Sequence, residues 1–196
     1  MAPAADEAVL AAALDYAVAS AAEIGLADLG RRSACAGWTV AEALTHLTQS
    51  LRCVAASLSS GVVPAVDVPP AGPGTARTLS RDLGRAAVAL GAAARDLRGR
   101  RSVAVGGLPL PCHRLVVVGA IEAAVHGWDA ARGAGRARPI PGELAGRLLA
   151  ELPSVLGGDT RRGMFADPVA LPPGRPAAER LLAALGRDPS APSSAA

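Results

Sequence analysis

Two side chains that can bind a metal or carry a proton lie four residues apart in the stretch from Leu115 to Arg132. At about 100° per residue, the apolar residues of this stretch cover every side of a helix, which predicts a buried helix. Glu122 and His126 share one face of it. A buried carboxylate without a partner is costly, so Glu122 needs a proton, an ion pair with His126, or a metal ion.

A third candidate ligand lies on another predicted helix. His46 flanks the main apolar stripe of that helix, and Ser50, Cys53 and Ser57 continue the His46 stripe at spacings of four, three and four. Such a run of small polar groups either lines an internal cavity or faces water. We expect Ser50 and Cys53 to line a pocket, with Cys53 either near a metal or an inert buried thiol.

Two ligands from one helix and one from a facing helix are a common way to build a metal site in a bundle. We therefore predict a metal site at His46, Glu122 and His126. The competing interpretation is a Glu122–His126 hydrogen bond, with His46 unrelated. Asp129 lies on the same face, where it would hydrogen-bond a ligand imidazole or pair with Arg132.

This donor set of imidazoles and a carboxylate suits Zn²⁺, and also Ni²⁺ or Fe²⁺. Three protein ligands leave one coordination position open, which is typical of catalytic rather than structural zinc. Zinc at such a position lowers the pKa of a bound water to about 7 or ionises a bound thiol. The predicted site would therefore deliver hydroxide or thiolate.

The elements that must position these groups are helices. Thr39 followed by Glu42 is a capping box, which starts the second helix. The predicted helices cover residues 5–25, 39–59, 78–98, 115–133, 141–152 and 177–186.

The segments between the helices complete the predicted fold. Residues 60–76, rich in Pro and Gly, predict a long crossover loop, and a Gly-Gly turn within 102–112 predicts a small hairpin. We expect an all-α fold: a four-helix bundle with a long crossover, a hairpin before the fourth helix and a short C-terminal helical extension. Residues 1–189 would form one domain and 190–196 a disordered tail.

Composition narrows the function classes. Half of the 196 residues are hydrophobic (51%) but only 2% are aromatic, so the core is built from Ala, Val and Leu. The net charge of +3 is carried by arginines without interleaved aromatic residues, which disfavours nucleic-acid binding. Three cysteines without a Cys-x-x-Cys spacing indicate a reducing, cytoplasmic setting. No apolar run is long enough to span a membrane. A small-molecule substrate fits best, and a homodimer is left open.

Three segments carry a resemblance to a known family. Residues 35–40 (Cys-Ala-Gly-Trp-Thr-Val), followed by His46, resemble the first signature of the mycothiol-dependent maleylpyruvate isomerase branch of the DinB-like metal-binding proteins. Residues 122–129 (Glu-Ala-Ala-Val-His-Gly-Trp-Asp) resemble the second signature. Residues 164–169 and 181–189 are similar to the ending of a subgroup of small actinobacterial metal-binding proteins.

The resemblance implies an up-down-down-up bundle and a divalent metal, usually zinc, held by His46, Glu122 and His126. It also implies the use of mycothiol or a related thiol. The full isomerase carries a larger C-terminal domain that contributes to its active site, whereas this chain has a short C-terminal segment. The resemblance therefore does not identify maleylpyruvate as the substrate.

Three functions remain as hypotheses. The first is a metal-dependent thiol transferase or isomerase, in which a metal-activated thiol adds to an electrophile. The second is a metal-dependent hydrolase that uses bound hydroxide, and it predicts turnover without any thiol. The third is a non-catalytic bundle that binds a small molecule or a metal.

Overall fold

A computed structural model describes residues 4–64, 75–97, 99–156 and 165–191 of the chain. Helices dominate it, and a single hairpin accompanies them in the described ranges. The elements are α1 Ala4–Ala22, α2 Val40–Ser60, α3 Ala76–Arg95, β1 Ser102–Val105, β2 Leu108–Pro111, α4 Cys112–Gly133, α5 Gly142–Val155 and α6 Ala177–Ala184. The all-α fold predicted from the sequence is confirmed.

Helices α1 and α4 run in the same direction. A Cβ atom added at Gly119 of α4 would lie within 4 Å of Leu10 of α1, and one added at Gly127 would meet Ala17. Positions further along α4 therefore face positions further along α1. Gly127 lets the backbones of α1 and α4 come close together, whereas Gly119 makes room for side chains of the neighbouring helices.

Helix α2 runs against α4 and alongside α3. His46 faces Glu122, whereas Val54, later in α2, lies near the earlier residue Gly119. At the far end, Arg100 just beyond α3 donates hydrogen bonds to the backbone carbonyls at the end of α2. Together with the α1–α4 pair this is an up-down-down-up bundle, and a long connection between α2 and α3 is what parallel neighbours require.

The predicted capping box of α2 is present. The Thr39 hydroxyl accepts a hydrogen bond from the Glu42 backbone N–H at 3.2 Å, and the Glu42 carboxylate accepts one from the Thr39 N–H at 2.7 Å. At the other end, Gly61 takes a left-handed conformation (φ 86°) that closes the helix. The capping box and Gly61 therefore set the two ends of the helix that carries His46.

Helix α4 is the central element of the bundle. Of its 22 residues, 17 are buried, and they lie on all sides of the helix. This burial confirms what the continuous apolar pattern predicts. Glu122, His126 and Asp129 are consequently held inside the protein on a rigid element.

Several helix ends differ from the prediction. Helix α1 ends at Ala22, not near Gly25. The N–H groups of Glu23 and Ile24 bond to carbonyls three residues earlier, as in a 3₁₀ turn, instead of four. Helix α4 begins at Cys112, three residues before the continuous apolar stretch, and the exposed His113 lies in its first turn. Helix α5 continues through Pro153.

The hairpin is as predicted. Strands β1 and β2 pair antiparallel, with Val105 opposite Leu108 across the Gly-Gly turn. Most of the predicted crossover loop and residues 192–196 of the predicted tail lie outside the described residues.

Candidate metal centre

The side chains of His46, Glu122 and His126 converge at one point between α2 and α4. Nε2 of His46 lies 3.4 Å from Oε2 of Glu122, and Nε2 of His126 lies 3.7 Å from the same oxygen. One ligand atom from each residue lies within 4.8 Å of the other two. Because α2 and α4 run antiparallel in contact, residues far apart in sequence meet here.

These distances suit a shared cation. In a tetrahedral zinc site with bonds of about 2.0 to 2.1 Å, neighbouring ligand atoms lie roughly 3.3 to 3.4 Å apart. The two measured contacts, 3.4 and 3.7 Å, are close to that spacing. Each imidazole presents its Nε2 to the same Glu122 oxygen, and the two rings stand nearly perpendicular (75°). The donor set and its spacing therefore fit a divalent metal ion.

Glu122 is the group that most needs a partner. Among the described residues, no hydrogen bond of good geometry reaches its Oε2, although the side chain is only 13% exposed. Burial alone would raise the pKa of this carboxyl, but the contact with His46 and the charges of His126 and His46 outweigh it and lower the pKa to about 2. The carboxylate is thus an anion held between two imidazoles.

Behind His126 lies a second buried carboxylate. Nδ1 of His126 is 3.0 Å from Oδ2 of Asp129, a close contact whose angle falls short of a well-formed hydrogen bond. Asp129 is fully buried and pairs with Arg187, whose Nη2 and Nε lie 2.9 and 3.3 Å from the two carboxylate oxygens. Burial opposes the anion, but His126 and Arg187 together lower the pKa of Asp129.

A loop before α2 covers the centre. The backbone at residues 32–33 packs directly on Gly133, where an added Cβ would come within 2.6 Å of the Arg32 carbonyl oxygen. The N–H of Ala34 donates to the carbonyl of Asp129 at 3.1 Å. These contacts fix the loop on α4, and the loop places Trp38 over the two imidazoles.

The indole ring of Trp38 packs against the imidazole rings of His46 and His126. Its centroid lies 4.5 Å from that of His46 and 5.7 Å from that of His126. Trp38 therefore packs against both candidate ligand rings and lines the cavity beside them.

A cavity of about 670 Å³ opens beside the three side chains. Its size lies within the usual range for small-molecule sites, about 300–1,000 Å³. Most of the wall is apolar, and Ser50 and Cys53 contribute to it as predicted. The other lining residues are Ala34, Cys35, Ala36, Trp38, Gln49, Val54, Leu115, Val118, Phe165, Ala166, Gly186 and Arg187.

The small polar stripe of α2 therefore faces a cavity over part of its length. The Ser50 hydroxyl lies 3.3 Å from Nε2 of His46. Ser57, further along, is buried and donates to the Cys53 carbonyl at 2.7 Å. Ser50 therefore lies in the cavity wall and Ser57 is buried, so neither serine lies on a solvent-exposed face of α2.

Two features of the site lie outside the sequence prediction. Asp129 has Arg187 as its cation, where the sequence suggested Arg132; the Arg132 guanidinium donates to the carbonyls of the last described residues and lies over Trp128. Cys35 lines the cavity, and its Sγ lies 3.6 Å from Nη2 of Arg187. Burial and the Asp129 charge raise the pKa of this thiol to about 11.

Residues 3–131 match the sequence profile of the family described as mycothiol maleylpyruvate isomerase N-terminal domain. The chain belongs to this family. The match includes the loop with Trp38, the capped helix α2 and both candidate ligands of α4. The family resemblance read from the sequence signatures is thereby confirmed.

Solved structures of similar fold are crystal structures of the mycothiol-dependent maleylpyruvate isomerase and of a point mutant of it. The sequence identities are 15% and 16%, with a TM-score of 0.53 in both cases. The matches cover 74% of this chain, which spans 66% of the length of those isomerase chains. No curated protein matches the chain by sequence.

No helix in the described part of the chain combines the length and apolarity that a membrane crossing needs.

Proposed function

We propose that this protein is a divalent-metal-dependent enzyme that uses mycothiol or a related low-molecular-weight thiol to attack a small electrophilic molecule. The reaction would be thiol transfer or thiol-assisted isomerisation. The observation that supports it most is the convergence of His46, Glu122 and His126 on one point at the wall of a cavity. Zinc is the metal that this donor set favours, with nickel or iron as alternatives.

Each residue of the site has a role in this proposal. His46, Glu122 and His126 hold the cation, and Glu122 supplies the negative charge that balances part of it. A bound cation lowers the pKa of a coordinated thiol, which provides a thiolate at neutral pH. Trp38 and the apolar cavity wall keep water from the reacting sulfur. The Ser50 hydroxyl, beside His46, can donate a hydrogen bond to a polar group of the substrate.

The other polar groups of the site suit supporting roles. Asp129 contacts the far nitrogen of the His126 ring, which is how carboxylates orient ligand imidazoles. The Cys35 thiol stays protonated because burial raises its pKa to about 11, so it does not compete as nucleophile.

The test combines metal analysis with a thiol-dependence assay. We expect about one equivalent of metal per chain in the purified protein, and turnover of activated electrophiles only when metal and mycothiol are both present. His46→Ala and His126→Ala should each lose the metal, whereas His113→Ala, which removes an exposed histidine at the start of α4, should retain it.

Other outcomes separate the alternatives. Turnover without a thiol would favour the hydrolase that uses bound hydroxide. Metal binding with neither thiol binding nor turnover of any substrate in the panel would favour the non-catalytic bundle. A protein that binds no divalent metal at all would refute the proposal.

The proposal places the protein in a reducing compartment, namely the cytoplasm. Cys35, Cys53 and Cys112 are all free thiols in the structure. Free cysteines, two of them in the cavity wall, are compatible with a compartment in which small thiols stay reduced.

A further inference from the structure

We propose that Arg187 is a positioning residue of the metal centre, which fixes the His126 ring through Asp129. In this way the C-terminal segment, residues 165–191, completes a site whose candidate ligands all lie within residues 3–131. The inference rests on the proposed function for the identity of the site, but its first step concerns the orientation of one imidazole ring and can be tested without a metal.

The contacts form a continuous chain from the C-terminal segment to the candidate metal position. Arg187 holds both oxygens of Asp129, at 2.9 and 3.3 Å. Asp129 in turn lies 3.0 Å from Nδ1 of His126, on the side of the ring opposite Nε2, which faces Glu122. The side chains of all three residues are at most 8% exposed, so water does not compete for these contacts.

Arg187 lines the cavity, but most of its hydrogen-bond donors are engaged within the protein. Its Nε and one Nη2 hydrogen point to Asp129, Nη1 donates to the Leu185 carbonyl at 2.8 Å, and Nη2 also lies 3.6 Å from Sγ of Cys35. A guanidinium has five N–H donors, and four are engaged within the protein here. This arrangement favours a role that is exerted through Asp129.

An anion at Nδ1 decides which nitrogen of the ring carries the proton. A neutral imidazole has one N–H, and a carboxylate beside Nδ1 keeps the proton there. The lone pair is then on Nε2, which is the nitrogen that a metal beside Glu122 requires. A loose or rotated Asp129 would let the ring populate the other tautomer, which cannot bind at Nε2.

The C-terminal segment is built to hold Arg187 in place. Leu181 and Leu185 are fully buried, and the Arg187 N–H donates to the Leu182 carbonyl at 3.0 Å. Gly186 has φ +79° and packs so closely on Ala166 that an added Cβ would lie 2.7 Å from the Ala166 Cβ. The turn after α6 therefore directs the guanidinium inward to α4.

The first measurement is zinc affinity, by competition with a chromophoric chelator. We expect Arg187→Met to weaken zinc binding about 10- to 100-fold, the usual effect of losing an indirect partner of a metal ligand. Arg187→Lys, which keeps the charge but not the two-pronged contact, should fall between this variant and wild type. Arg175→Gln is the matched control, because Arg175 belongs to the same segment and, among the described residues, pairs with Glu179 at the surface.

The second measurement reads the ring directly in the metal-free protein. At a pH where the ring is neutral, the ¹⁵N chemical shifts of the His126 imidazole should show the proton on Nδ1 in wild type and a mixture of tautomers in Arg187→Met. Arg187→Lys supplies the same readout if the methionine variant does not fold. Circular dichroism confirms that each variant compared is folded.

A double-mutant cycle tests whether Arg187 acts through Asp129. The loss of zinc affinity in Asp129→Asn/Arg187→Met should be no larger than in Asp129→Asn alone. Additive losses would mean that Arg187 reaches the site by another route and would overturn the inference.

The remaining outcomes separate this inference from the proposed function. Unchanged zinc affinity and an unchanged tautomer in folded Arg187 variants would overturn the positioning role while leaving the metal enzyme intact. A wild-type protein that binds no zinc but keeps the Nδ1 proton, and loses it in Arg187→Met, would refute the metal enzyme and support the role of Arg187.

Discussion

Helix α4 carries two buried carboxylates two turns apart, and the protein treats them in opposite ways. Asp129 has a permanent cation of its own, since the Arg187 guanidinium holds both of its oxygens. Glu122 faces two imidazoles and a cavity, and in the described residues no hydrogen bond of good geometry reaches its Oε2. His126 lies between them and contacts both.

The difference is between a carboxylate whose cation is built into the fold and a carboxylate that faces two imidazoles and a cavity. A guanidinium never loses its charge in a protein, so the Asp129 pair is complete in the folded chain. Imidazoles can lose theirs, so the neutralisation of Glu122 depends on what else is bound. A cation bound from solution would neutralise the Glu122 carboxylate, as the Arg187 guanidinium neutralises the Asp129 carboxylate.

The largest expected effect is on folding. Asp129→Asn leaves the buried Arg187 charge unpaired, and we expect it to lower the free energy of unfolding of the metal-free protein by about 3–5 kcal/mol. Urea denaturation at neutral pH measures this. Asp82→Asn, which removes one member of an exposed pair with Arg85, should change stability by less than about 1 kcal/mol.

Glu122→Gln should have a small effect on stability and a large effect on zinc affinity. In the metal-free protein it should cost less than Asp129→Asn, because Arg187 keeps its partner Asp129 and no buried guanidinium is left unpaired. Its zinc affinity should fall by more than about 100-fold, beyond the loss expected for an indirect partner.

Zinc-dependent stabilisation checks this second prediction. Wild type should gain about 2.7 kcal/mol of unfolding free energy at a free zinc concentration of 100 times Kd. Glu122→Gln should gain little under the same conditions, and Glu143→Gln, an exposed control on α5, should behave as wild type. Equal zinc responses in all three proteins would remove the distinction between the two carboxylates.

Acid should remove the stabilisation that both carboxylates contribute, and the pKa of Glu122 defines the pH range of this loss. Its pKa is lowered from an ordinary 4.5 to about 2 in the folded protein. A lowered folded-state pKa contributes stability above the unfolded value, and that contribution is lost as pH falls through the folded value. Metal-free wild type should therefore lose stability between about pH 4.5 and 2 more steeply than Glu122→Gln. Parallel pH profiles of the two proteins would contradict the interpretation of Glu122 as a buried anion.

The smallest effect concerns the thiol of Cys35. Its pKa of about 11 is raised first by burial, then by the Asp129 charge, while Arg187 opposes the rise and Glu122 contributes least. Asp129→Asn should therefore lower the pKa and speed alkylation by iodoacetamide at pH 8, and Glu122→Gln should speed it less. Mass spectrometry of the Cys35 peptide follows the rate; a larger acceleration in Glu122→Gln would reverse the assigned ranking.

The sequence predicted those features that depend on local pattern. The Thr39–Glu42 capping box and the all-round burial of α4 follow from spacing alone, and the structure confirms both. The convergence of His46 with Glu122 and His126 needs one further fact, that α2 and α4 are neighbours, which the resemblance to a bundle family supplied.

The partners of Asp129 could not be read from the sequence in the same way. Arg187 is 58 residues away in the chain and lies beyond an irregular segment, so no spacing rule connects the two. The sequence suggested the nearby Arg132 because it is three residues along the same helix. The position of Trp38 over the imidazoles was missed for a similar reason, since it depends on how a loop packs on α4.

That packing has a consequence for anyone who would graft this centre onto another bundle. Transplanting the three donor side chains alone would omit Gly133, whose bare Cα lets the chain at Arg32 and Ser33 lie directly on the helix. A scaffold with alanine at the position of Gly133 would push the loop away from the helix. The Trp38 indole would then no longer cover the two imidazoles. A transplanted centre therefore needs Trp38 and a glycine at the position of Gly133 in addition to the three donor side chains, and the Asp129–Arg187 pair behind His126.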